Sequence, residues 1–209
     1  MINKGEEQRA HLIMKLRGQG IRSASVLSAI ESVPRDIFIE NALKNHAWEN
    51  VTLPIGEGQT ISQPYIVALM TTALNLSGKE IVLEIGTGSG YQASILSLLC
   101  RRVYTIERIK KLHNFSNHKF KELKLNNITT KYGNGSLGWP EVSPFDRIIL
   151  TCAIKKIPKQ LFLQLKIGGI LISPEILEDN SQVLSSYFQV DKNKFEKKKI
   201  EDVKFVPML

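Results

Sequence analysis

Glu84-Ile85-Gly86-Thr87-Gly88-Ser89-Gly90-Tyr91 is the stretch whose residue types could do chemistry. Glycine tolerates positive φ and lets a ligand come close to the backbone. Here Gly86, Gly88 and Gly90 alternate with two small hydroxyl residues. Ile81, Val82, Leu83 and Ile85 before and within it are apolar, as in a strand covered on both faces. Ser89 is the expected N-cap of a helix over Gln92–Leu99, whose free N–H groups could bind a polar ligand. A dinucleotide fingerprint would put its last glycine at Tyr91, and no Lys-Ser/Thr pair follows at P-loop spacing. The spacing argues against both of those ligand classes. The loop alone leaves a plain strand-to-helix turn open.

The rest of the chain must hold such a loop in place. Its 209 residues are 43% hydrophobic, enough for one sizeable core. No apolar run approaches the ~18 residues of a membrane span. The polar, charged stretch Met1–Ala10 does not read as a signal peptide. Cys100 and Cys152 imply no disulfide framework and suit a reducing cytoplasm. Two cysteines and four scattered histidines give no metal-ligand spacing, so no metal is expected. The net charge of +8 permits nucleic-acid binding without establishing it. The runs Lys119–Lys124 and Lys197-Lys198-Lys199 read as a solvated helix face and a loop.

Helical spacing predicts a first helix over Glu6–Arg17, ended by Gly18 and Gly20, and a second over Ser25–Val33, stopped by Pro34. The two form an N-terminal cap, residues 1–50. Leu53 to Pro64 has two prolines, two glycines and little charge, as a loop wrapped over a ligand would. With a helix over Tyr65–Leu76 it makes a segment 51–76. The core, 77–175, alternates strand and helix. Strands are expected at Ile81–Ile85, Arg102–Ile106, Ile128–Tyr132, Phe145–Thr151 and Ile170–Ile172. Helices fall at Gln92–Leu99, through Leu112–Leu125, and from Pro158, at the first helical position, to Leu165. This order argues for a doubly wound α/β sheet, mostly parallel. Val183–Val190 and Ile200–Val206 read as a C-terminal antiparallel hairpin within 176–209, joined across a lysine-rich turn.

In open α/β sheets ligands bind beyond the carboxyl ends of the strands. The first such end carries the glycine loop. The second carries Glu107, whose carboxylate can accept from both hydroxyls of a ribose. The third carries Gly133-Asn134-Gly135, where Asn134 could pair with an adenine edge. Together, in this order, they point to a nucleoside cofactor. The fourth end is Thr151-Cys152-Ala153-Ile154, and Cys152 reads as a small buried residue, with no histidine nearby in sequence to activate it.

An acid at the end of a first strand followed by G-x-G-x-G resembles the cofactor loop of S-adenosylmethionine-dependent methyltransferases. Amino-methyltransferases tend to carry an Asn/Asp-Pro-Pro-aromatic stretch at the fourth strand end, which is absent here. Leu53-Pro54-Ile55-Gly56 and Gly58-Gln59-Thr60-Ile61-Ser62-Gln63-Pro64, followed by the glycine loop, resemble the protein-L-isoaspartate O-methyltransferase family. So do Val33-Pro34-Arg35, Ala47-Trp48, Gly138-Trp139, Pro144-Phe145-Asp146, Gly168-Gly169 and Val203-Lys204-Phe205-Val206-Pro207. The likeness runs through nearly the whole chain in order.

The resemblance implies a Rossmann-like methyltransferase that uses S-adenosylmethionine to methylate the α-carboxylate of L-isoaspartyl residues. The ester would cyclise to a succinimide, from which normal aspartate partly re-forms. Ser62 falls on the family's active-site serine. Thr60, Ile61, Glu84, Gly86, Thr87, Gly88, Ser89, Gly90, Glu107, Asn134 and Gly135 fall to the cofactor. Ile55, Gln59, Ser62, Val206 and Pro207 fall to the peptide. Damaged proteins are the implied partners, and a cytoplasmic monomer without a specific nucleic acid or membrane partner is expected. The chain departs from the family pattern at Asn134, where Asp is usual, at Glu175-Ile176-Leu177-Glu178, where a Val-Gly turn is usual, and at Pro207-Met208-Leu209. Transfer to another acceptor, RNA or a small molecule, and a fold kept without catalysis are the competing readings.

Overall fold

The computed structural model describes residues 4–192 and 194–208; Met1–Asn3, Asn193 and Leu209, with the expectations placed on them, lie outside the described residues. Helix α1 (Lys4–Gly18) carries Glu6 and Glu7 in its first turn and Lys15 and Arg17 in its last, matching the helix dipole. Helix α2 (Ala24–Ser32) starts on Ser23, whose side chain accepts from Val26 N at 3.4 Å. Both turn an apolar stripe inwards. Leu12, Leu16, Ile30 and Phe38 share one core cluster with Tyr91 and Ile95. Arg35 pins this cap to the larger body. Its buried guanidinium lies 5.0 Å from the centre of the Tyr91 ring and donates to Val51 O at 3.1 Å.

The segment expected to be a loop is instead an antiparallel hairpin of β1 (Leu53–Gly56) and β2 (Gln59–Ile61). Gly56, Glu57 and Gly58 all have positive φ, which explains the glycines at this tight turn. Helix α3 (Pro64–Ala73) follows, with Pro64 at its start. Then come β3 (Ile81–Ile85), α4 (Tyr91–Ser97), β4 (Arg102–Glu107), α5 (Lys110–Glu122), β5 (Ile128–Tyr132), β6 (Phe145–Leu150) and α6 (Lys159–Leu163). The chain ends with β7 (Leu165–Ile176), β8 (Gln182–Asp191) and β9 (Lys194–Asp202).

The sheet order is β5-β4-β3-β6-β7-β8-β9. Pairings from β5 to β7 are parallel, and β7–β8 and β8–β9 are antiparallel. This is a doubly wound, Rossmann-like sheet with a C-terminal antiparallel end. Strand pleat divides the core in two. Val82, Ile149 and Ile172 face one layer with Met70, Leu96 and Phe120; Leu83, Ile148 and Leu171 face the other with Ile106 and Leu161. The chain winds from β3 outwards to β5, then returns to β6 on the other side of β3. That reversal opens a crevice at the carboxyl ends of β3, β4 and β6.

Three local expectations need correction. Pro158 is the N-cap of α6 and not its first residue, and Leu165 already belongs to β7. Strand β7 is longer than Ile170–Ile172 because Leu165 already pairs with Phe145 ahead of a register shift near Gly168, whose φ is 78°, and Ser173–Ile176 go on to pair with β8. Lys197-Lys198-Lys199 lies on edge strand β9 and not in a loop. Lys197 reaches Glu175 and sits 5.3 Å from the centre of the Tyr187 ring, and Phe195 packs on Phe162. Packing on one face outweighs the weak strand propensity of lysine.

Candidate active site

The loop after β3 is built by backbone bonds and three left-handed glycines. Gly86 N and Thr87 N both donate to Ile106 O, at 2.9 and 3.3 Å, so the loop turns back against β4. Gly86, Gly88 and Gly90 have φ of 95°, 55° and 93°. A Cβ on Gly86 would lie 2.5 Å from the Thr151 hydroxyl, and one on Gly90 2.8 Å from the Phe120 ring. On Gly88 it would meet only Ile55, at 3.5 Å, because that position opens to space. Gly90, not Ser89, is the N-cap of α4, since its left-handed φ makes the bend; the Ser89 hydroxyl accepts from Tyr91 N at 3.4 Å from one residue further out. Replacing Gly90 by Ala is expected to cost ~2–4 kcal/mol, from left-handed strain plus overpacking. A urea titration measures it.

Glu107 organises the loop from the next strand end. It is buried, and its two oxygens accept from Gly88 N and Ile109 N, each at 2.8 Å. A carboxylate has further lone pairs, so these bonds leave capacity for ligand hydroxyls. Asn134 starts the short 3-10 turn Gly135–Leu137, with its side-chain oxygen accepting from Ser136 N at 2.9 Å. A Cβ on Gly135 would run into the Ile85 side chain, so this turn lies directly against the end of β3. The Thr151 hydroxyl donates to Ile85 O at 3.0 Å and also bonds Gly86 O, tying the end of β6 to the same loop.

These groups wall an open cleft that spans about 950 Å³ when the space continuous with solvent is included. Gly86, Thr87, Gly88 and Ser89 line it from the loop, and Glu107, Asn134 and Gly135 from the neighbouring strand ends. Gln59, Thr60, Ile61 and Ser62 line it from the hairpin side, and Val206 and Pro207 from the C-terminal segment. Three expected residues are not on its wall. Ile55 stands behind Gly88, Gly90 packs on Phe120, and Glu84 is wholly buried beneath the loop. Reading from the sequence missed Met70, Gln92, Leu112 and Thr151, which also line the cavity. Their signal is weak, because each side chain reaches the site from an element that reads as ordinary core or turn.

A second cavity adjoins the first. The two share Thr60, Ser62, Thr151, Phe205 and Val206, and the second is lined further by Gln63, Ile66, Glu201 and Asp202. Ser62 therefore stands in a wall common to both. Among the described residues nothing pairs with its hydroxyl. The C-terminal segment closes the other side as a strap. Ala153 N donates to Val206 O at 2.9 Å and Met208 N to Ala153 O at 2.7 Å, while the Gln182 side chain holds both backbone groups of Phe205. Tyr65 OH donates to Glu201 Oε2 at 2.7 Å and joins the start of α3 to this end of β9. Burial pushes the Cys152 thiol up to about 12, which keeps it a neutral wall residue. Among the described residues no cluster of His, Cys, Asp and Glu could hold a metal ion, and no helix is long and apolar enough to cross a membrane.

A nucleoside with a charged tail suits this lining. Glycine backbone leaves room for close approach, Glu107 offers free lone pairs, and Ile106, Ile109 and Leu112 add an apolar wall. Comparison with known proteins agrees. The family model for protein-L-isoaspartate(D-aspartate) O-methyltransferase matches residues 7–209. A protein-L-isoaspartate O-methyltransferase from Parvibaculum lavamentivorans is 53% identical over 173 residues, covering 83% of this chain and 78% of the relative. A solved protein-L-isoaspartate O-methyltransferase superposes with a TM-score of 0.88 at 27% identity, over 95% of this chain and 65% of its own longer chain. A protein-L-isoaspartate O-methyltransferase from Plasmodium falciparum, solved with S-adenosyl-L-homocysteine, gives 0.83 at 26% identity, over 100% of this chain and 99% of that one. A match over nearly all of the chain, on the same fold, makes this chain a member of the protein-L-isoaspartate(D-aspartate) O-methyltransferase family.

Proposed function

We propose that the chain methylates the α-carboxylate of L-isoaspartyl residues in damaged proteins, with Ser62 aiming that carboxylate. One observation carries this reading: an unpaired serine hydroxyl in the wall between a cofactor-sized cavity and a second one. When bound, S-adenosylmethionine supplies a methyl group activated by its sulfonium sulfur. An α-carboxyl group has a pKa of about 3.3–3.7 and is already ionised at neutral pH. No general base is needed, which suits a cavity whose lining includes no histidine.

The protein's contribution is alignment and exclusion of water. Ser62 donates to one carboxylate oxygen and leaves the other free to attack. Thr60, Ile61 and the Gly86–Gly90 loop hold the cofactor's tail, Glu107 accepts from its ribose, and Asn134-Gly135 borders its base. Ile55, Gln59, Val206 and Pro207 form the peptide rim, with the strap keeping water out. Glu84 and Gly90 act on the loop from below. The neighbouring backbone nitrogen then displaces methanol from the ester to close a succinimide, which water reopens partly to aspartate.

The shared core cluster of cap and α4 supports reading 1–209 as one domain, divided at 50, 76 and 175 as the sequence suggests. Two free cysteines support a reducing, cytoplasmic setting.

Labelled S-adenosylmethionine and two peptides, identical except for one isoaspartyl or aspartyl residue, test the function. Base-labile methyl ester on the isoaspartyl peptide alone is expected. Transfer to neither peptide would sink the reading. Asn134→Asp should tighten cofactor binding about fivefold, because a charged acceptor replaces a neutral one while the cap to Ser136 N is kept. Calorimetry measures the change.

A further inference from the structure

Glu84 lies beneath the glycine loop, and the reaction as derived gives it no contact with substrate. Parallel pairing sets Glu84 opposite Thr105 on one face of the sheet. The Thr105 hydroxyl is 2.5 Å from Glu84 Oε2, and the hydroxyls of Thr105 and Thr87 are 2.6 Å apart. All three side chains are buried, yet Thr87 also lines the cofactor cavity. They form a hydrogen-bonded chain from a sealed carboxyl to the cavity wall.

Each hydroxyl has one proton to give, so the chain has two polarities. With Glu84 ionised, Thr105 donates to it, Thr87 donates to Thr105, and Thr87 shows lone pairs to the cavity. With Glu84 protonated and donating to Thr105, both hydroxyls reverse and Thr87 turns its proton outwards. Glu84 Oε1 is buried without a partner, which disfavours the ionised form. Burial, opposed by the Thr105 hydrogen bond and aided by the negative charge of Glu107, pushes the carboxyl up to about 8. Of the strands beside β3, β4 presents Thr105 and Glu107, while β6 places apolar Ile149 opposite Glu84. Cys152, past the end of β6, is a neutral thiol.

We infer that Glu84 and Thr105 are positioning residues that form a proton relay to Thr87, matching that wall of the cavity to the charge of the cofactor. The inference rests on the cofactor reading above. S-adenosylmethionine carries one positive charge more than S-adenosylhomocysteine. A positive charge in the cavity favours ionised Glu84. Binding the charged cofactor then sends a proton from Glu84 to solvent, and binding the neutral-sulfur product does not. The relay thereby favours cofactor over spent product.

Calorimetric titration of the full chain at pH 7, in buffers of different ionisation enthalpy, counts the protons released with each ligand. The parent chain should release more with S-adenosylmethionine than with S-adenosylhomocysteine, by up to one proton. Its affinity for S-adenosylmethionine should fall as pH drops below about 8, approaching tenfold per pH unit, and level off above. The cofactor's own amino group titrates alike against every variant. Glu84→Gln and Thr105→Val should remove the difference, and Thr105→Ser should keep it. If Glu84→Gln does not fold, the Val and Ser pair decides. Equal proton counts in the parent chain, or a difference that survives Glu84→Gln or Thr105→Val, would overturn the relay. Absence of any cofactor binding would instead overturn the cofactor reading itself.

Discussion

Ser62→Ala is expected to methylate an isoaspartyl peptide about 10²-fold more slowly, while binding S-adenosylmethionine as the parent chain does. The acceptor carboxylate is ionised without help, so the change removes no base. It removes the hydroxyl proposed above to fix which oxygen faces the methyl group, and a misaligned nucleophile costs rate more than affinity. The fold should not change. Ser62 is only partly buried, and its hydroxyl makes no bond within the described residues, so the melting temperature should stay within the scatter of surface substitutions. Single-turnover transfer beside calorimetric cofactor binding separates the two effects. Transfer at the parent rate would remove Ser62 from its role, and a parallel loss of cofactor affinity would move it to the cofactor wall.

What the sequence shows plainly is what burial on both faces demands. Ile81–Ile85 and Ile128–Tyr132 agree with the structure at both ends, because turn residues bound them sharply. The hairpin β1–β2 is not legible. Its strands are four and three residues long, contain Pro54, and are held by a turn with three successive positive φ angles. Nor do the lysines of β9 read as a strand. Their register comes from Tyr187 and Glu175, remote in sequence.

The site divides the same way. Glycines and strand-end acids announce a cofactor crevice because backbone geometry and topology require them there. Which acid faces the ligand depends on the strand pleat. Period two turns Glu84 to the side of Val82, under the loop, and Glu107, at the last position of its strand, reaches the cavity. Ser62 illustrates the limit. Its place in a wall between two cavities exists only once the hairpin, the end of β6 and the C-terminal strap meet around it.

Glu107→Ala should weaken S-adenosylmethionine binding on the order of 10²-fold or more, through the loss of charge-assisted hydrogen bonds. Two losses combine. The lone pairs offered to the cofactor disappear, and Gly88 N and Ile109 N lose the carboxylate that both now share at 2.8 Å. The glycine loop then keeps its tether to Ile106 O, the grip of Thr151 and the bond between the Thr87 and Thr105 hydroxyls. Glu107→Gln separates these effects. Its amide oxygen can still accept from one of the two N–H groups, but its NH2 must face the other donor. Affinity should fall between the parent and the alanine variant, by about tenfold, with a smaller drop in melting temperature. If the alanine variant binds as weakly as the glutamine variant but melts with the parent chain, Glu107 serves the ligand alone. If both melt early and bind equally weakly, its first task is to shape the loop. Because both oxygens bond the backbone, we expect the two variants to separate in melting as well as in affinity.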